Sequence, residues 1–119
     1  MSVSVVSALL ISSVESKTAP HILTTEELKV AVPGHSIGRA DVLPHESQVE
    51  QFRMDGTYLM LGDNFQDPGK YILRDNMICI QSVSYKTMCR FLLVDQHGYY
   101  WLVRDLTKKS YRKVVISKH

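Results

Sequence analysis

From residue 48 onward, apolar and polar positions alternate in short runs: "VEQFRM", "TYLML", "KYILR", "MICIQ", "TMCRFLLV", "YYWLVR" and "SYRKVVIS". A period of two is the signature of a strand that buries one face, because successive side chains leave a strand on opposite sides. The runs are separated by Asp55-Gly56, by Asp75-Asn76 and by "DQHG" with Gly98, residues that accept the positive φ a tight hairpin demands. Strands joined so closely in sequence pair as neighbours, so these seven runs predict an antiparallel meander. Upstream the period changes. In "TAPHILTTEELKVAVPGHS", Thr24 or Thr25 is placed to cap a short helix. Glu26 and Glu27 suit its positive end, Leu28, Val30, Ala31 and Val32 supply apolar surface, and Pro33-Gly34 stops it. "GHSIGRADVLP" lacks clean periodicity and reads as a loop with room for one short strand.

The predicted fold class is therefore α+β, mostly β: a curved antiparallel β-meander of about six or seven strands, with one short N-terminal helix on a face or end of the sheet. A chain of 119 residues has room for one core. Residues 20–119 are expected to form that domain, and residues 1–19 a signal or flexible segment. "VVSALLISSV" has the length of a signal-peptide apolar region and Val14-Glu15-Ser16 offers small residues at a cleavage spacing, yet no Lys or Arg precedes it. It is also too short to span a bilayer.

Charge narrows the partners. A formal charge of +2 does not mark a nucleic-acid binder. The charges are segregated, however: Asp41, Glu46, Glu50, Asp55, Asp63 and Asp67 lie in the middle, and Arg104, Lys108, Lys109, Arg112, Lys113 and Lys118 lie at the end.

Chemistry is sparse. His21, His35, His45, His97 and His119 belong to no metalloprotease, nucleophile-elbow or phosphate-loop motif, and "LGDNFQDPGK" reads as a surface connection. Glu46, Glu50, Asp63 and Asp67 read as solvated charges on an edge. An enzyme reading would need His35 or His45 to converge with Asp41. No catalytic residue, cofactor or metal is assigned. The aromatic residues Tyr71, Tyr85, Tyr99, Tyr100 and Trp101 are the better candidates for a contact surface. Alternation separates Tyr99 and Trp101 from Tyr100 and Leu102, and Arg90, Arg104 and Arg112 are expected on neighbouring strands. The binding candidates are Tyr85, Tyr99, Trp101 and Arg104.

Cys79 and Cys89 complete the inventory. A hairpin centred on Ser84 opposes residues whose numbers sum to 168, which these two satisfy, so a disulfide is sterically allowed. Two free buried thiols are the alternative for a cytosolic protein. A zinc site would have only His97 nearby as a third ligand.

The order of "TTEELK", "PGHSIG", "FRMDGTY", "GKYILRDNMICI" and "MCRFLLVDQHGYY" resembles small exported bacterial proteins of uncharacterised function. In those proteins a DG-x-Y/F hairpin precedes a strand pair, and the two cysteines bond. Tyr71 stands where they often carry Trp. The resemblance covers residues 24–103 and implies a periplasmic or secreted location and a lipocalin-like or open-sheet architecture, with no catalytic residues to transfer. The expected function is a non-enzymatic binding or inhibitory module of the bacterial envelope, showing an aromatic and basic sheet face to a protein partner. The alternatives are a lipocalin-like carrier of a small apolar ligand and a cytosolic nucleic-acid-binding protein.

Overall fold

The computed structural model describes residues 19–40, 48–84, 86–108 and 110–118. The segment expected as a signal or flexible region thus lies, apart from Ala19, outside the described residues. Within them, β1 (His21–Ile22) leads into α1 (Thr25–Ala31). There follow β2 (His35–Arg39), β3 (Val49–Phe52), β4 (Thr57–Leu61), β5 (Gln66–Arg74), β6 (Met77–Ser82), β7 (Met88–Val94), β8 (Tyr100–Val103) and β9 (Arg112–Lys118).

The expected meander is present, but it is closed and has nine strands rather than six or seven. From β2 to β9 each strand pairs antiparallel with the next, and β9 returns to pair with β2, making an eight-stranded barrel. Beyond the seven runs stand β1, which was not foreseen, and β2, the short strand for which "GHSIGRADVLP" left room. β2 closes the ring, with Ile37 opposite Ile116 on one side and Glu50 on the other. β1 continues the edge of β7 past the point where β6 leaves it: β6 pairs with β7 at Met88–Arg90, and β1 pairs with Leu93 and Val94. Closure removes the unpaired edges that an open meander would expose.

The hairpins follow their turn residues. Asp75 and Asn76 both adopt positive φ, 54° and 61°, as a type I′ turn requires, and Gly98 does so between β7 and β8. Gly69 serves a different need: a Cβ there would lie 2.2 Å from the carbonyl oxygen of Gln81, so β5 and β6 approach this closely only with glycine at that point.

α1 starts on Thr24, whose hydroxyl accepts the Glu27 N–H while the Glu27 carboxylate accepts the Thr24 N–H. This reciprocal cap compensates for the shortness of a seven-residue helix. Thr25 is tied to the β5–β6 turn: its N–H donates to Asn76 Oδ1, and its hydroxyl accepts the Asn76 N–H, each at 2.8 Å. So held, α1 delivers Leu28 and, just past its end, Val32 into the lumen, both completely buried. Val30, expected as apolar packing surface, instead faces solvent at 78% exposure, because one helix turn can present only one stripe to the barrel.

Inside, Phe52 packs edge-on against Tyr58 and Tyr71, with ring centroids 5.3 and 5.1 Å apart. Ile78, Ile80, Leu92 and Leu102 join the same cluster. Each such side chain contributes about 1.5–3 kcal/mol on burial.

Candidate functional site

The outer wall beside the β7–β8 turn holds two of the expected contact residues. Tyr99 and Trp101 face outward while Tyr100 and Leu102 pack into the lumen; alternation required the separation, and the barrel decides which pair is outside. Trp101 is half-buried, and its indole N–H donates to Asp95 Oδ2 at 3.0 Å. The other oxygen of Asp95 accepts the N–H groups of His97 and Tyr99, at 2.9 and 3.0 Å. These bonds favour the ionised form, so the Asp95 carboxyl is held below its ordinary value of 3.8, chiefly by the indole and then by the two amides. Tyr99 is 52% exposed, and Lys113 from β9 places its ammonium 3.8 Å from the ring centre, a cation–π contact.

The remaining expected contacts disperse. Tyr85 lies outside the described residues. Arg104 is exposed at the far end of β8, five residues beyond Tyr99 and so about 16 Å along the strand. Arg90 and Arg112, expected beside the aromatic face, belong to the opposite surface of the wall. Arg90 shares parity with Met88 and Leu92, and Arg112 pairs with Leu102, all lumen residues. Tyr71 is also internal, its hydroxyl donating to the Arg53 carbonyl.

At the barrel end away from α1, the structure assembles a group that the sequence reading did not identify. Glu50 and Asp67, expected as solvated, are only 7% and 4% exposed. Both carboxylate oxygens of Glu50 meet the terminal nitrogens of Arg90 at 2.9 Å, and the Tyr58 hydroxyl donates to Glu50 Oε2 at 2.5 Å. Asp67 accepts from the Ser82 hydroxyl at 2.9 Å. Its burial follows from β5 starting at Gln66, inside what reads as a surface loop. The signal was present in the parity: Glu50 is two residues from Phe52, and Arg90 two from Leu92, so opposite charges were directed inward together. A cavity of about 50 Å³ lies here, with Arg39, Gln48, Glu50, Arg90 and Arg112 as its polar lining. Beyond it a wider groove of about 930 Å³ runs past Arg104, Lys108, Tyr111 and Arg112.

Cys79 and Cys89 form the disulfide. They are direct register partners of β6 and β7, with Cα atoms 4.0 Å apart, as the sum of 168 demanded. Closing a loop this short contributes about 2–3 kcal/mol in the chain-entropy account, and such a bond is compatible with an oxidising, extracytoplasmic setting. The enzyme reading finds only His35 among the described residues, its ring Nδ1 3.0 Å from the Pro33 carbonyl. Asp41 and His45 lie outside them. Among the described residues, no group of three or more His, Cys, Asp or Glu is placed to hold a metal ion, and no helix is long and apolar enough to cross a membrane.

No family model, curated protein or solved structure matches this chain. The closed, disulfide-bonded barrel agrees with the lipocalin-like architecture that the sequence resemblance implied, and the agreement extends no further than architecture.

Proposed function

We propose that this protein is a non-enzymatic binding or inhibitory module of the bacterial envelope that presents the outer wall around Tyr99, Trp101 and Lys113 to a protein partner. The observation that carries this reading is the half-exposed Tyr99 ring held under Lys113, beside an indole pinned by Asp95. Pre-oriented aromatic side chains with an adjacent cation supply contact area at small entropic cost, the chemistry of binding hot spots. Arg104 falls outside this patch. The envelope location is supported by the disulfide and by the resemblance to exported bacterial proteins. A lipocalin-like carrier would use the same closed architecture, but the groove of about 930 Å³ lies at the mouth of the barrel beside Arg90, Arg104, Lys108 and Arg112, a basic lining unsuited to a small apolar ligand. Phe52, Tyr58 and Leu92 occupy the lumen itself.

The test is affinity capture from an envelope extract of the native cell, with wild type run beside Tyr99→Ala/Lys113→Glu. A partner retained by wild type and weakened at least tenfold by the double variant, with thermal unfolding unchanged, supports the reading. Equal retention by both proteins removes it.

A further inference from the structure

The open end of the barrel carries an arrangement that the outer wall does not use. Both terminal nitrogens of Arg90 are committed to Glu50, while its third N–H, at Nε, is buried and has no partner. A buried donor without an acceptor is destabilising, and native proteins normally satisfy it with protein, water or ligand. Arg90 lines the 50 Å³ cavity, and so does Arg112. Arg112 extends from the lumen face of β9 at the rim, and among the described residues no carboxylate pairs with it. It also lines the outer groove, together with Arg104 and Lys108. The acid of that groove, Asp105, is turned onto its own loop, where it accepts from the Thr107 N–H and hydroxyl at 3.0 and 2.7 Å.

From this placement we propose that the open end is a receptor for a carboxylate group, seated between Arg112 and Arg90. The planar guanidinium fork matches a carboxylate in shape. The cavity of about 50 Å³ has room for one such head group. Glu50 in the same lining disfavours a dianion such as phosphate more strongly than a monoanion, since repulsion grows with the charge product. The carboxylate has two sources, a free small acid or an acidic side chain of a partner protein. The site is separate from the Tyr99 wall and stands even if that reading fails.

Amide and arginine side-chain NMR of the full-length protein tests it, titrating sodium acetate, a Glu-rich peptide or sodium phosphate at matched ionic strength. Saturable shifts at Arg112, Val114 and the Arg90 Nε–H are expected with acetate and the peptide, weakened at least tenfold in Arg112→Gln with the unfolding midpoint unchanged. Peptide binding ten times tighter than acetate assigns a partner side chain, and comparable binding assigns a free acid. Shifts that do not saturate, that persist undiminished in Arg112→Gln, or that are produced more strongly by phosphate than by either carboxylate overturn the proposal.

Discussion

At the end where α1 enters, Leu28 and Val32 close the lumen against Phe52 and Tyr71, and the contact is apolar. At the other end, Glu50, Arg90, Asp67 and Ser82 occupy inward positions with charge and hydroxyl groups, and the Tyr58 hydroxyl reaches Glu50 from beside Phe52. The two ends tolerate damage differently. An apolar plug gains stability roughly in proportion to area, without regard to direction, so it degrades gradually as atoms are removed. A buried ion pair is stabilising only while both partners remain, because each charge left its hydration shell to enter the wall. The polar end can therefore present a group to solvent and a ligand, and the plugged end is suited to holding the fold.

The largest effect that distinguishes the ends is expected at Glu50. Glu50→Leu leaves Arg90 buried without its counter-charge and is expected to cost about 3–5 kcal/mol, whereas Glu50→Leu combined with Arg90→Met recovers most of that loss. Urea unfolding of the two variants measures both. A double variant as unstable as the single one would show that packing, not charge pairing, sets the loss. At the plugged end, Leu28→Ala is expected to cost about 3 kcal/mol through lost burial and the remaining cavity, with no dependence on salt. A marked salt dependence would place this end under electrostatic control and erase the contrast.

The smallest effect is expected on the rim of the plugged end, at Asp95. Its folded pKa lies below the unfolded value, so its contribution is present above about pH 4 and is lost as pH falls through the folded value. Glu27, Asp55 and Asp105 are shifted the same way by their own hydrogen bonds, so overall acid unfolding sums several groups. Trp101 is the chain's one tryptophan and isolates Asp95: indole fluorescence should change in a single step below pH 4, absent in Asp95→Ala. An unchanged step in the variant would assign it to another acid.

The sequence was most informative where structure is made by neighbours. Asp75-Asn76, the cap at Thr24 and the opposition of Cys79 and Cys89 all depend on residues at most ten positions apart. It misled where burial depends on remote strands. Glu50 lies in a strand run and Asp67 among turn-rich residues, and a charge is ordinarily solvated unless a partner waits inside. The partner of Glu50, Arg90, lies on β7, forty residues beyond it, and that of Asp67 is Ser82 on β6. Arg90 and Arg112 were grouped with Trp101 because they are near in strand order, although parity sends them to the other side of the wall.

By itself, the sequence determined the alternation, the hairpin turns, the cysteine register and the helix cap, since each is a local choice among the few conformations the backbone allows. Tertiary structure alone decided that the meander closes. The pairing of β2 with β9 joins residues 35–39 to 114–118, and nothing in a period of two specifies whether an edge stays open or meets another. Closure also decided what faces inward at each end, because a lumen exists only once the last strand has found the first.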